Sequence, residues 1–278
     1  MTHGSLFAGI GGFDLGFERA GFKTVWQVEI DEYCRRVLER HFPGAERFAD
    51  IRDCGKHNLK PVDVISGGFP CQDISNAGLR AGIDGERSGL WNDMQRIVGE
   101  LCPRFVLVEN VAALLVRGAG RVLGDLAALG YDAEWKIIRA SDVGAPHRRE
   151  RVWILAYAES HGCRGLANSG EAEDPTVPRR TFRVLRGWPE RAVQLGDGCG
   201  DLVNAASGRL ALADSNLQPA HGPAISREEC NPWTTEPNVG RVAHGVPRRV
   251  DRLRALGNAV VPQIAQWIAE RIKAVANE

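Results

Sequence analysis

Short apolar runs alternate with amphipathic stretches over the first 157 residues. The runs TVWQVE (24–29), VDVISGG (62–68), RFVLVEN (104–110), AEWKIIR (133–139) and RVWILAY (151–157) are rich in β-branched residues and predict strands. Helical patterns lie between them, as at 31–41 and 91–101. This alternation predicts an α/β fold on a parallel sheet. The texture changes near residue 158. From there to 240, Gly, Pro, Asn, Ser and Arg dominate and long apolar runs vanish, which predicts a loop-rich second lobe. Regularity returns over 241–278. In PQIAQWIAERIKAV, Ile264, Trp267, Ile268, Ile272 and Val275 share one helical face, and Pro262 takes a first-turn position. A helix there would pack back on the first lobe. The expected division is therefore a main domain of 1–157 plus 241–278, with 158–240 inserted as a small lobe.

Composition narrows the class. The chain has 278 residues, 44% hydrophobic and 25% charged, as in an ordinary globular enzyme with a sizeable core. No apolar run reaches the roughly 18 residues that a membrane helix needs. The N-terminus, MTHGSLFAGIGGF, lacks the basic start, apolar run and cleavage site of a signal peptide, so the expected compartment is the cytoplasm. A net charge of zero gives no global sign of a nucleic-acid partner. Locally, basic residues cluster in HRRER (147–151), RRTFRVLR (179–186) and RRVDRLR (248–254), each a candidate for phosphate contact or a solvated face. The seven cysteines form no CxxC pair, which argues against a disulfide framework and against a zinc site.

Three segments carry candidate chemistry. SLFAGIGGF (5–13) runs an apolar stretch into a turn with Gly9, Gly11 and Gly12, then into an amphipathic stretch. Such glycines let backbone approach a ligand, and a helix N-terminus there favours a carboxylate or another anion. The spacing is G-x-G-G rather than G-x-G-x-x-G, so dinucleotide binding is not favoured. Glu29 ends the next strand, where an α/β fold sets an acid against ribose hydroxyls. In GGFPCQDIS (67–75), Cys71 follows Pro70 at the carboxyl end of a strand, where open α/β sheets bind ligands. A lone cysteine is also a common small core residue. Glu109, in ENV (109–111), would stand beside Cys71 if their strands are neighbours, and its pKa would rise on burial, as suits a proton donor. Arg149 and Arg151 alternate at a strand start and so share one face, as suits phosphate, carboxylate or carbonyl oxygens.

In order, SLFAGIGGF, Glu29, ADI (49–51), GGFPCQ (67–72), ENV, RRER (148–151) and GNAVVP (257–262) resemble the DNA (cytosine-5)-methyltransferase family of bacteria and phages. The likeness covers 1–157 and about 241–278 and leaves out most of 158–240. It implies a Rossmann-like fold that binds S-adenosylmethionine, with a small target-recognition lobe inserted before the C-terminal helix. By this resemblance Phe7 lies against the adenine, Gly9, Ile10 and Gly12 shape the methionine pocket, and Glu29 binds the ribose. Asp50 takes the adenine amino group and Ile51 packs on its ring. Leu90 lines the same pocket, and Asn258 and Ala259 close it. Cys71 matches the nucleophile, Glu109 the residue at cytosine N3, and Arg151 the residue at O2. Arg149 supports the catalytic loop and the DNA backbone. Pro70 and Ser75 belong to the substrate loop. Ser5, His147, Arg148 and Ala259 depart from the family's usual Asp, Gln, polar residue and Ser; none of these changes removes a group that makes or breaks a bond.

The chemistry implied is attack of the Cys71 thiolate on C6 of a flipped cytosine, which makes C5 nucleophilic towards the methyl donor. Double-stranded DNA is the implied partner, a cognate restriction endonuclease a candidate one, and a monomer the expected state. No metal or membrane is called for. Two other readings stay open: a tRNA-modifying member of the same family, and a catalytically silent DNA-binding module.

Overall fold

The computed structural model describes residues 1–70, 89–158, 184–185 and 249–277. Seven strands form one sheet: β1 (Thr2–Leu6), β2 (Lys23–Val28), β3 (Glu46–Phe48), β4 (Val64–Gly67), β5 (Phe105–Val111), β6 (Tyr131–Arg139) and β7 (Glu150–Ala158). Their order is β3-β2-β1-β4-β5-β7-β6. The chain winds outward from β1 on one side and from β4 on the other. The switch point therefore lies between β1 and β4, where α/β sheets open a crevice at their carboxyl ends.

The expected strands all form, but the sheet is not wholly parallel. β7 pairs antiparallel with both β5 and β6. Only residues 140–149 join β6 to β7, with a 3-10 turn over Ala140–Val143. A parallel return would need a crossover of about a dozen residues or more, usually a helix. The reversal matters for the site. It brings the start of β7 to the sheet edge where the parallel strands end. β3, three residues of ERF, shows no readable alternation and was not among the expected strands.

Both faces of the central strands β1, β4, β5 and β7 are covered, which explains the continuous apolar runs. Along β5, Val106 and Val108 face a core shared with Trp91, Met94 and Ile97 of α3 (Leu90–Leu101) and Val122 and Leu126 of α5 (Ala119–Ala128). Phe105 and Leu107 face the other core, with Phe13 and Phe17 of α1 (Gly12–Arg19) and Ile264, Ile268 and Ile272 of α7 (Pro262–Ala276). The C-terminal helix thus packs back on the first lobe as its periodicity predicts. It crosses α1 closely, because a Cβ on Gly16 would stand 2.6 Å from the Pro262 carbonyl oxygen and from the Ala265 methyl. The remaining helices are α2 (Glu32–His41), whose Leu38 packs with Ala8, Phe42 and Ala45, the single turn α4 (Leu114–Arg117), whose Leu114 joins the α3-side core, and α6 (Arg249–Asn258).

The second lobe expected over 158–240 lies largely outside the described residues. Its described pair, Val184 and Leu185, is buried in the α1–α7 core. Leu185 N donates to Glu134 Oε1 at 3.0 Å, and Arg271 Nε of α7 donates to the Val184 carbonyl at 2.7 Å. Val184 and Leu185, near the end of the basic cluster RRTFRVLR, are thus held against α7 and β6. Among the described residues, no helix is long and apolar enough to cross a membrane, and no group of residues is arranged to hold a metal ion.

Candidate active site

The glycine turn follows β1 at the switch point. Phe7, Gly9 and Gly11 all hold left-handed backbone, at φ 53°, 57° and 88°. For an aromatic residue such a conformation costs about 1–3 kcal/mol and persists only where the surroundings impose it. Here Ala8 N donates to the Val28 carbonyl at 3.1 Å, and the Phe7 ring packs against the α3-side core. Gly12 opens α1 with the Val260 carbonyl directly over it: a Cβ there would lie 2.4 Å from that oxygen. Around Gly9 the space is open, with no atom within 4 Å of where a Cβ would stand.

Glu29 follows β2 and reaches this turn. Its Oε2 accepts from Gly9 N at 2.7 Å, and its Oε1 from Asp31 N at 2.8 Å. Burial pushes its carboxyl pKa up, and the two backbone amides oppose that rise. Asp50 follows β3 and caps a 3-10 turn over Ile51–Asp53. Its carboxylate accepts from Arg52 N at 3.0 Å and pairs with the Arg52 guanidinium at 2.5 Å, which holds its pKa below the ordinary value. Ile51 is buried in the α3-side core, and Leu90, the first residue of α3, packs against it. The sequence-predicted residues Phe7, Gly9, Ile10, Gly12, Glu29, Asp50, Ile51 and Leu90 therefore come from the ends of β1, β2 and β3 and the start of α3.

Beside β1, β4 ends at Gly67 and leads through Gly68, Phe69 and Pro70 to Cys71. Cys71 and Ser75 lie outside the described residues. The turn before them is tightly held. Asn110 Nδ2 donates to the Phe69 carbonyl at 3.1 Å, and the Glu109 Oε2 lies 2.9 Å from where a Gly68 Cβ would stand. A side chain at 68 would displace the carboxylate. Glu109 is 8% exposed and forms an ion pair with Arg151, Nε to Oε1, at 3.0 Å. Burial raises its pKa, while the charges of Arg151 and Arg149 oppose the rise. Arg151 reaches Glu109 only because β7 is reversed, with Arg151 opposite Val111 at the edge where β5 ends.

The two arginines do not share one target, contrary to the alternation expected for a strand start. β7 begins at Glu150, and Arg149 precedes it with left-handed backbone at φ 39°. That bend breaks the period-two pattern. Arg149 Nη1 donates to the Gly257 carbonyl and Nη2 to the Ala259 carbonyl, each at 2.7 Å. The HRRER cluster also differs from a free basic face. Arg148 pairs with Glu150 at 2.8 Å, and Arg139 pairs with the same carboxylate at 2.6 Å. Asn258 is exposed at the end of α6, and Ala259 follows it.

Three residues were passed over in the sequence. Asn110 holds the Phe69 carbonyl, Asp31 caps α2 and ties to Glu29, and Arg35 Nη1 donates to the Glu29 carbonyl at 2.8 Å. For Asp31 a signal existed: an Asp directly before a helical pattern is an N-cap candidate. Asn110 and Arg35 act through tertiary contacts that spacing does not encode.

Residues 1–196 match the sequence model of the family described as C-5 cytosine-specific DNA methylase. The chain is 30% identical, over 96% of its length and 74% of the relative's, to a Type II methyltransferase of Bacillus subtilis, M2.BsuMI. It is 36% identical to the Type II methyltransferase M.NgoBI of Neisseria gonorrhoeae, over 56% of this chain and 50% of that one. Against that second relative, the match spans half of its length. A solved Entamoeba histolytica methyltransferase, EhMeth, matches with a TM-score of 0.50 at 18% identity, over 56% of this chain and 52% of that one, and shares the fold. With the glycine turn, the Gly68–Glu109 contact and the reversed strand carrying Arg151 in place, and with the family model matching well over half of the chain, the protein belongs to the C-5 cytosine-specific DNA methylase family.

Proposed function

We propose that this protein transfers a methyl group from S-adenosylmethionine to C5 of a cytosine flipped out of duplex DNA, through a covalent adduct at Cys71. The observation that carries this reading is the buried Glu109–Arg151 pair set against Gly68, three residues before Cys71, at the sheet edge that also bears the glycine turn. The turn fits the cofactor. Glu29 offers a carboxylate with lone pairs to spare after its two amide contacts, and open space surrounds Gly9. Bound there, S-adenosylmethionine supplies an electrophilic methyl group.

The chain's own residues supply the rest. The Cys71 thiolate adds to cytosine C6, and ring electrons move towards N3 and O2. Glu109, kept nearer its protonated form by burial, gives a proton to N3. Arg151 places a cation at O2. C5 then takes the methyl group as the donor's sulfur–methyl bond breaks, leaving S-adenosylhomocysteine; water removes the C5 proton, the N3 proton returns to Glu109, and Cys71 leaves as the thiolate. Residues 1–157 plus 241–278 form the catalytic unit, and 158–240 the lobe that reads the DNA sequence. This division is supported by β7 ending at Ala158 and by α7 returning to the first core. The names of the relatives support a restriction–modification role, in which a cognate nuclease cuts the unmethylated site.

The test uses purified protein, tritiated S-adenosylmethionine, plasmid DNA and tRNA, beside a Cys71→Ala variant. Label in plasmid cytosines, located by bisulfite sequencing and absent with Cys71→Ala, is the expected result. Label in tRNA alone would move the activity to RNA, and label in neither would leave a silent DNA-binding module.

A further inference from the structure

Arg149 stands at the junction of the two halves of the site. It precedes β7 by one residue and is half-buried, and its left-handed backbone is one that a long side chain rarely adopts. Such a conformation survives where contacts impose it. The contacts are the two 2.7 Å bonds to the carbonyls of Gly257 and Ala259, more than a hundred residues further along the chain. Carbonyls at a helix end lack intrahelical donors and sit at the negative pole of the helix dipole. A planar guanidinium satisfies two of them at once. The next carbonyl along, that of Val260, lies over Gly12 in the turn after β1. Two residues on from Arg149, Arg151 holds Glu109. One short path thus runs from the Glu109–Arg151 pair through Arg149 to the segment that covers the glycine turn.

We propose that Arg149 is a positioning residue for the cofactor pocket: from the start of the strand that carries Arg151, it holds the 257–260 segment over Gly12. The inference rests on the function proposed above for what the pockets bind. It assigns Arg149 a task distinct from contact with the DNA backbone, because both ends of its guanidinium are committed to the protein. Partial burial and, after it, the like charge of Arg151 make the Arg149 charge costly to hold there unless the carbonyls accept from it.

The test measures S-adenosylhomocysteine binding by calorimetry in the absence of DNA, with wild type, Arg149→Met and Arg149→Lys. Charge-assisted bonds of this kind correspond to a loss of affinity of about tenfold or more for Arg149→Met. Arg149→Lys should fall between, since an ammonium lacks the fork that spans both carbonyls. Binding of each variant to supercoiled plasmid, without cofactor, should stay within about twofold of wild type. Cofactor affinity unchanged in both variants, with plasmid binding reduced, would overturn the proposal and make Arg149 a phosphate contact. Amide hydrogen exchange supplies a readout independent of any ligand. In Arg149→Lys, which keeps the charge and one bond, exchange should quicken at 257–260 while β5 stays protected. Unchanged exchange there would refute the strut even if wild type bound no S-adenosylhomocysteine, an outcome that would separately refute the proposed function.

Discussion

The Glu109 carboxylate meets Arg151 at 3.0 Å beneath the turn that leads to Cys71. In the proposed reaction its value is the proton it can hold, so the nearest neutral replacement is informative. Glu109→Gln keeps the shape and an N–H donor but cannot transfer a proton. Loss of general acid catalysis predicts a fall in single-turnover rate of about 10²–10⁴. Cofactor affinity should change little. A normal rate would remove Glu109 from the proton path. A second buried carboxyl is not used in the proposed chemistry. Asp14 in α1 is fully buried, and its Oδ1 takes the Gln27 amide at 3.0 Å. Burial pushes its pKa from 3.8 up to about 7, against the pull of the Gln27 bond, and Glu18 adds to the rise. His3, on the same face, is held neutral by burial, with its pKa lowered to about 3. The folded Asp14 therefore binds its proton more tightly than the unfolded chain does. Its contribution to stability is present below pH 4 and is lost as pH rises through 7. Asp14→Asn should raise the melting temperature at pH 8 and do much less at pH 4.5. Equal shifts at both pH values would contradict an Asp14 pKa raised by folding.

At the scale of elements, α1 and α7 pack closely where Gly16 meets Ala265 and the Pro262 carbonyl. A side chain at 16 would drive the helices apart and pull the 257–260 segment away from Gly12. Gly16→Val should cost at least the 1–3 kcal/mol typical of overpacking, or about 2–10 °C in melting temperature for a domain of this size. A thermal melt without cofactor checks it, and an unchanged melt would mean that the two helices do not set each other's position. The elements themselves were largely legible from periodicity. β5 and β7 read as strands because both faces are covered, and α7 because Ile264, Ile268 and Ile272 recur at helical spacing. The direction of β7 was not legible from its residues, since an apolar run looks the same either way. It depends on the ten-residue connection over 140–149, too short for a crossover helix. β3 escaped notice because three residues, ERF, carry no period.

Across the whole molecule, the site is assembled from segments far apart in sequence. Motif order pointed to Glu29, Glu109 and Arg151 as candidates, yet not to how they are held. Glu29 is tied to Gly9, Glu109 is fitted against Gly68, and Arg149 reaches Gly257 and Ala259, more than a hundred residues further along the chain. Each of those contacts is a tertiary bond that no local pattern encodes. Val184 and Leu185 are likewise buried in the α1–α7 core.

The claim that ties these scales together is the covalent step at Cys71. It is tested by incubating the protein with S-adenosylmethionine and duplex DNA in which cytosines carry fluorine at C5. After thiolate addition and methyl transfer, C5 holds fluorine and methyl but no proton. The elimination that frees the cysteine then cannot occur. A protein–DNA complex that survives denaturing electrophoresis, requires the cofactor and is absent with Cys71→Ala is the predicted result. Methylation of ordinary DNA by wild type with no trapped complex on the fluorinated duplex would contradict the account.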